Sequence, residues 1–158
     1  MQLKFTLEEA KKKAEAYLPE LHCGPTVLKV MWEAYGMKNE DFLWAGTAFR
    51  GGIAGEQDGP CGVVSGMALA LGLRHRCSIT DKKKAEQAQK TIYAETAALV
   101  KDFKEKFGSI TCFGLLGIDL SNEEGMKKAR ESGAFKDKCP RQVQYAIEKL
   151  YELEEKRV

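Results

Sequence analysis

Residues 59–73, Gly59-Pro60-Cys61-Gly62-Val63-Val64-Ser65-Gly66-Met67-Ala68-Leu69-Ala70-Leu71-Gly72-Leu73, decide the fold. From Val63 onward, apolar side chains fall on nearly every side of a helix, a pattern that suits burial on all faces. The stretch predicts a helix at the centre of the molecule, entered through Pro60 and Cys61. Before it, residues 50–59, "RGGIAGEQDG", carry four glycines and no helical period. They read as a loop whose backbone takes positive φ or approaches another group closely. A thiol thus stands where a flexible loop meets a buried helix.

Working outward, Thr6-Leu7-Glu8-Glu9 reads as a capping box that opens a helix running to about Tyr17, where Pro19 discourages continuation. Val27, Leu28, Met31, Trp32 and Tyr35 recur at helical spacing, and Gly36 ends that second helix. Phe42 to Phe49 forms a short third helix. Thr80 or Asp81 caps a long amphipathic helix to about Lys106, with Ala85, Ala88, Ile92, Ala97, Leu99 and Phe103 as its buried line, and Gly108-Ser109 breaks it. Cys112 to Leu116 is a short helical segment. Ser121 with Glu124 suggests another capping box and Gly133 a stop, and the last helix starts at Cys139-Pro140 with Val143, Ala146, Ile147, Leu150 and Leu153 inward. No segment alternates apolar and polar residues convincingly. The expected fold is all-α, a single compact bundle of about five to seven helices, with residues 1–158 as one domain.

Lys plus Arg number 25 against Asp plus Glu 23, so the net charge of +2 gives no electrostatic reason to expect a nucleic acid partner. Lys11-Lys12-Lys13 and Lys82-Lys83-Lys84 read as solvated helix faces. The N-terminus lacks a secretory pattern and no stretch reaches the length of a membrane span, so the chain is expected to be soluble and cytoplasmic, without membrane insertion. No phosphate loop, dinucleotide fingerprint or serine-nucleophile elbow is present. Trp32, Tyr35, Trp44 and Phe49 read as core or interface aromatics.

Five cysteines remain: Cys23, Cys61, Cys77, Cys112 and Cys139. Four fall at predicted helix starts, Cys23 before Gly24-Pro25, Cys61 after Pro60, Cys112 opening its segment and Cys139 before Pro140. Proline suits a first helical turn, and the free NH groups there favour a thiolate and can donate to metal-bound sulfur. Cys77, after "LRHR", lacks that setting. A lone cysteine also serves as a small core hydrophobe, so packing stays open beside redox chemistry and metal binding. There is no C-x-x-C, and gaps of 38, 51 and 27 positions put each thiol on a separate element. A zinc ribbon or ferredoxin loop is excluded, whereas ligands gathered from several helix ends are not.

Cys23, then Cys61-Gly62-Val63-Val64-Ser65-Gly66, then single Cys112 and Cys139 resemble the four-cysteine redox-active family designated C_GCAxxG_C_C. "FRGGIAGEQDGPCG", "SGMALALGL", "FGSITCFGLLGIDL" and "CPRQVQYAIEKL" support the resemblance, which spans roughly Cys23 to Leu153. Val63 replaces the family's alanine and Pro60 precedes Cys61. The resemblance implies redox activity through these thiols. Similar sequence accompanies haem domains in split-Soret cytochromes, which also carry an iron–sulfur centre; without C-x-x-C-H, covalent haem is not expected here. The leading expectation is electron transfer to a redox partner protein through an iron–sulfur cluster on Cys23, Cys61, Cys112 and Cys139. Gly62, Gly66 and His22 would border that cofactor, the glycines by letting backbone come close. In the alternative, Cys23 and Cys61 are the catalytic thiols of a disulfide couple; a third reading is a helical module with structural zinc or with no cofactor. Arg50 and Glu56 are candidates to edge the pocket, and a homodimer sharing the site is left open.

Overall fold

A computed structural model describes residues 2–157, and its regular structure is helical throughout. The first helix, α1 (Leu7–Leu21), opens on the expected capping box. Thr6 donates its NH to Glu9 Oε2 at 2.8 Å and Glu9 donates its own to Thr6 Oγ1 at 3.3 Å. Contrary to expectation it runs on through Pro19 to Leu21. Proline there removes one hydrogen bond in a last turn that is closed by the His22 NH on the Leu18 carbonyl, 3.0 Å away. One residue later α2 (Cys23–Ala34) begins, with Val27, Leu28, Val30, Met31 and Trp32 buried. Gly36, at φ +74°, stops the chain just past it, as predicted.

After α3 (Asp41–Gly46), a 3-10 turn (Thr47–Phe49) and the glycine loop comes α4 (Gly62–Arg74), the central helix read from the sequence. It lies against α2 at a distance only glycine allows. A Cβ on Gly66 would stand 2.7 Å from the Gly24 carbonyl oxygen, and one on Gly24 2.7 Å from that of Gly62. Gly62 and Gly66, one helical turn apart, therefore form the flat surface on which α2 rests.

Asp81 caps α5 (Lys82–Phe107) by accepting from the Lys84 NH at 3.2 Å. Only Leu99 and Phe103 of α5 are fully buried, and Ala97, expected inside, is exposed. The N-terminal half of this helix lies outside the core. Next come α6 (Cys112–Leu116), α7 (Glu123–Glu131) and α8 (Ala134–Glu155), making eight α-helices among the described residues instead of five to seven. The excess arises because the short α3 and α6 both close as α-helical turns. Asn122, not Ser121, caps α7, accepting from the Gly125 NH at 2.8 Å.

A larger correction concerns α8. It starts at Ala134, directly after Gly133 (φ +74°), so Cys139 and Pro140 lie inside the helix and Cys139 is not at a helix start. Because Gly133 both ends α7 and opens α8, the proline costs one interior NH to the Lys136 carbonyl and need not sit in the first turn.

α1 and α8 pack on α2, and α5 and α8 on α4, around a core that includes Val27, Met31, Val63, Met67, Phe103, Val143 and Ile147. A smaller cluster of Cys112, Leu116, Ala129 and Ala134 sits where α6 and α7 meet α8. Among the described residues, an isolated antiparallel bridge joins Pro60 to Thr111. At the opposite end of α4, Arg74 donates to Glu154 at 2.7 Å, while Arg157 pairs with Glu154 and Glu95, and His75 lies 2.7 Å from Glu95. Among the described residues no helix is long and apolar enough to cross a membrane.

Candidate functional site

The four motif cysteines, far apart in sequence, line one cavity of about 990 Å³ between the two apolar clusters. All are free thiols. Cys23 is the first residue of α2, Cys61 the cap of α4, Cys112 the first residue of α6, and Cys139 lies in the second turn of α8. The Pro60–Thr111 bridge and the bond from the Cys61 NH to the Ile110 carbonyl, at 2.6 Å, hold the starts of α4 and α6 side by side. Cys77 is exposed and outside the cavity, as its sequence setting suggested.

Cys23 is held from three sides. Before it, His22 has φ 62° and ψ −172°, a conformation that is essentially glycine's and costs of order 1–3 kcal/mol elsewhere in proteins. This kink lets α2 follow α1 without a linker and puts the sulfur at the junction. Beside it, Gly62 makes room, since a Cβ there would lie 2.6 Å from Cys23 Sγ. Above it, residues 51–55 (φ 63°, 68°, 67°, 51° and 85°) make a left-handed turn that includes Ile53 and Ala54. The backbone NH of Gly51, at the start of this turn, favours the anionic form of Cys23.

The neighbouring Cys61 side chain, against the penalty of burial and with help from the backbone NH groups of Gly51, Gly24 and Cys23 itself, brings the Cys23 thiol down to about 6. Cys61 is pushed well up by its neighbour Cys23 and by burial, and its own thiol donates to Gln142 Oε1 at 3.8 Å. Burial is the main cause raising Cys112, offset by a hydrogen bond from Gln57, whose Nε2 lies 3.9 Å from the sulfur. Burial first and the negative charges of Cys23 and Cys112 next raise Cys139 to about 12. One thiolate is thus ready, and three thiols resist ionisation unless positive charge comes among them.

Gln57 and Gln142 were not singled out from sequence. Gln57, at φ 63°, is buried in the glycine loop, donates to the Ile118 carbonyl at 2.9 Å and accepts from the Leu120 NH at 2.6 Å, so it ties the loop to the segment after α6. A loop residue has no periodicity to betray such burial. Gln142 did carry a signal: with Cys139, Val143 and Ala146 it follows the i, i+3, i+4, i+7 spacing of a buried face, where an amide needs a reason. Arg50 and His22 line the cavity, and burial first, then Arg50, lowers His22, favouring neutral imidazole. Glu56 is exposed and does not line the cavity, nor do Gly62 and Gly66, which support it from the α2–α4 contact.

Among the described residues no three His, Cys, Asp or Glu side chains are grouped to hold a single metal ion. A family model described as "Putative redox-active protein (C_GCAxxG_C_C)" matches residues 21–153, all four cavity cysteines included. The chain belongs to this family. The pattern's Gly-Cys-Ala falls on Pro60-Cys61-Gly62, so the residue in place of the family's alanine is Gly62 and not, as expected, Val63; a Cβ at Gly62 would lie 2.6 Å from Cys23 Sγ. No curated protein and no solved structure is detectably similar to the chain.

Proposed function

We propose that the cavity is an electron-transfer centre in which Cys23, Cys61, Cys112 and Cys139 hold an iron–sulfur cluster. The observation carrying this reading is the convergence of four thiols from four separate elements on one cavity of about 990 Å³. Four soft sulfur donors in a mainly apolar site are the set such clusters take. Ionising all four against burial and mutual repulsion requires positive charge between them, so metal binding would release protons and stabilise the fold together. A tetrahedral zinc, with Zn–S of about 2.3 Å, draws its sulfurs to within about 4 Å of one another.

When bound, the cluster supplies one-electron transfer at a potential set by hydrogen bonds and burial. The chain's own residues do the rest. The backbone NH groups of Gly51 and Gly24 favour the anionic form of Cys23. Gln57 and Gln142 place amides beside Cys112 and Cys61. Leu115, Leu116 and Val143 keep water from the inner wall.

A second reading rests on Cys61 standing as the neighbour that lowers the Cys23 thiol. A thiolate beside a protonated thiol is the resting form of a dithiol couple, which on losing two electrons and the Cys61 proton becomes a disulfide. Iron, sulfide and zinc assays on protein purified without oxygen, with a dithionite titration, separate the readings. Stoichiometric iron and sulfide with visible absorption that bleaches reversibly supports the cluster. Colourless protein whose thiol count rises on reduction supports the Cys23–Cys61 couple, and tightly held zinc contradicts both.

A further inference from the structure

The cavity offers more than sulfur. At about 990 Å³ it lies at the upper end of the range, roughly 300–1,000 Å³, that takes whole small-molecule ligands. Leu18, Leu120, Met126 and Phe135 give it apolar walls. Its charged residues are unevenly matched: Arg50, Arg130 and Lys136 line it against the single carboxylate of Glu15. The chain has six arginines. Arg74, Arg141 and Arg157 pair with carboxylates and Arg76 donates to the Leu73 carbonyl. Among the described residues, the two whose guanidinium groups have no protein acceptor, Arg50 and Arg130, are both exposed residues and both line this cavity. Planar guanidinium forks are suited to carboxylate and phosphate.

We infer that the cavity binds a small organic anion, an apolar body lying along the leucine and phenylalanine wall with its acid group on Arg50 and Arg130. A cationic ligand would meet three like charges. The inference rests on the four-cysteine cavity being the functional site, but it holds whether the sulfurs carry a cluster or a disulfide.

The test uses full-length, reduced, chelator-treated protein and two fluorescent probes of similar shape, anionic anilinonaphthalene sulfonate and neutral phenylnaphthylamine. The sulfonate is expected to bind with one-to-one stoichiometry and to slow iodoacetamide alkylation of Cys23 while exposed Cys77 reacts unchanged. Arg50→Gln and Arg130→Gln should each weaken sulfonate binding roughly three- to tenfold, the scale of a charge-assisted contact at a partly solvated site. Neither should alter binding of the neutral probe, and Arg76→Gln should alter neither probe. Unchanged sulfonate affinity in both cavity variants, or no protection of Cys23, would overturn the inference. Iron content, measured separately, reports on the cluster alone.

Discussion

At the scale of single residues the site is a matter of who stands next to Cys23. Gly62→Ala would ordinarily help a helix by up to about 1 kcal/mol. Here the new methyl would sit 2.6 Å from Cys23 Sγ and 3.1 Å from the Phe49 carbonyl oxygen, and overlap of that kind costs about 1–3 kcal/mol. The variant is predicted to melt lower and to react differently at Cys23, read by calorimetry and by mass-mapped alkylation. Cys61 acts as the neighbour that lowers the Cys23 thiol. In metal-free protein the rate of Cys23 alkylation should rise with pH through a midpoint near 6, well below the ordinary thiol value of 9.0, because the thiolate is the nucleophile. Cys61→Ala removes the largest cause of that shift, so the midpoint should move up and the rate at neutral pH should fall. An unmoved midpoint would mean the backbone NH groups alone set it.

At the scale of elements, the ion-pair clasp between α4, α5 and α8 can be tested apart from the sulfurs. Glu154 is buried with Arg74 and Arg157 on it, so Glu154→Gln leaves two guanidinium groups short of charge and should cost about 3 kcal/mol in denaturant unfolding. Burial pushes Glu95 up, but hydrogen bonds from Arg157 and His75 outweigh it and hold it below its ordinary 4.5. A depressed carboxyl stabilises the fold above that value and loses its contribution as pH falls through the lower, folded one. The melting temperature should therefore drop on acidification below about pH 4.5, less steeply in Glu95→Gln.

The elements also show what the sequence could tell. The all-apolar run of α4, the capping box of α1, the Asp81 cap and the Gly36 stop are local rules obeyed locally, and each was legible. Three of the four cysteine positions followed from helix-start chemistry. Cys139 did not, because Gly133 joined α7 to α8 and made Pro140 an interior residue. The left-handed turn over Cys23 was visible only as glycine content. That Gln57 is buried depends on its contacts with α6 and the segment after it, which no local pattern records.

At the scale of the whole molecule, the bundle brings four thiols separated by gaps of 38, 51 and 27 positions to one wall and leaves the fifth outside. The core built on α2 and α4 fixes Cys23 and Cys61, and the smaller α6–α7–α8 cluster fixes Cys112 and Cys139. The centre therefore spans both halves of the packing, so ligand binding should stiffen them together and raise the melting temperature of the metal-loaded protein above that of the stripped form. The most direct test of a four-cysteine centre is iron and sulfide content, with the visible spectrum, across all five single Cys→Ser variants purified without oxygen. The account predicts that Cys23→Ser, Cys61→Ser, Cys112→Ser and Cys139→Ser each lose most of the iron and the visible absorption while Cys77→Ser keeps both. Equal loss in Cys77→Ser, or natural protein that takes up no iron and sulfide at all, would contradict it.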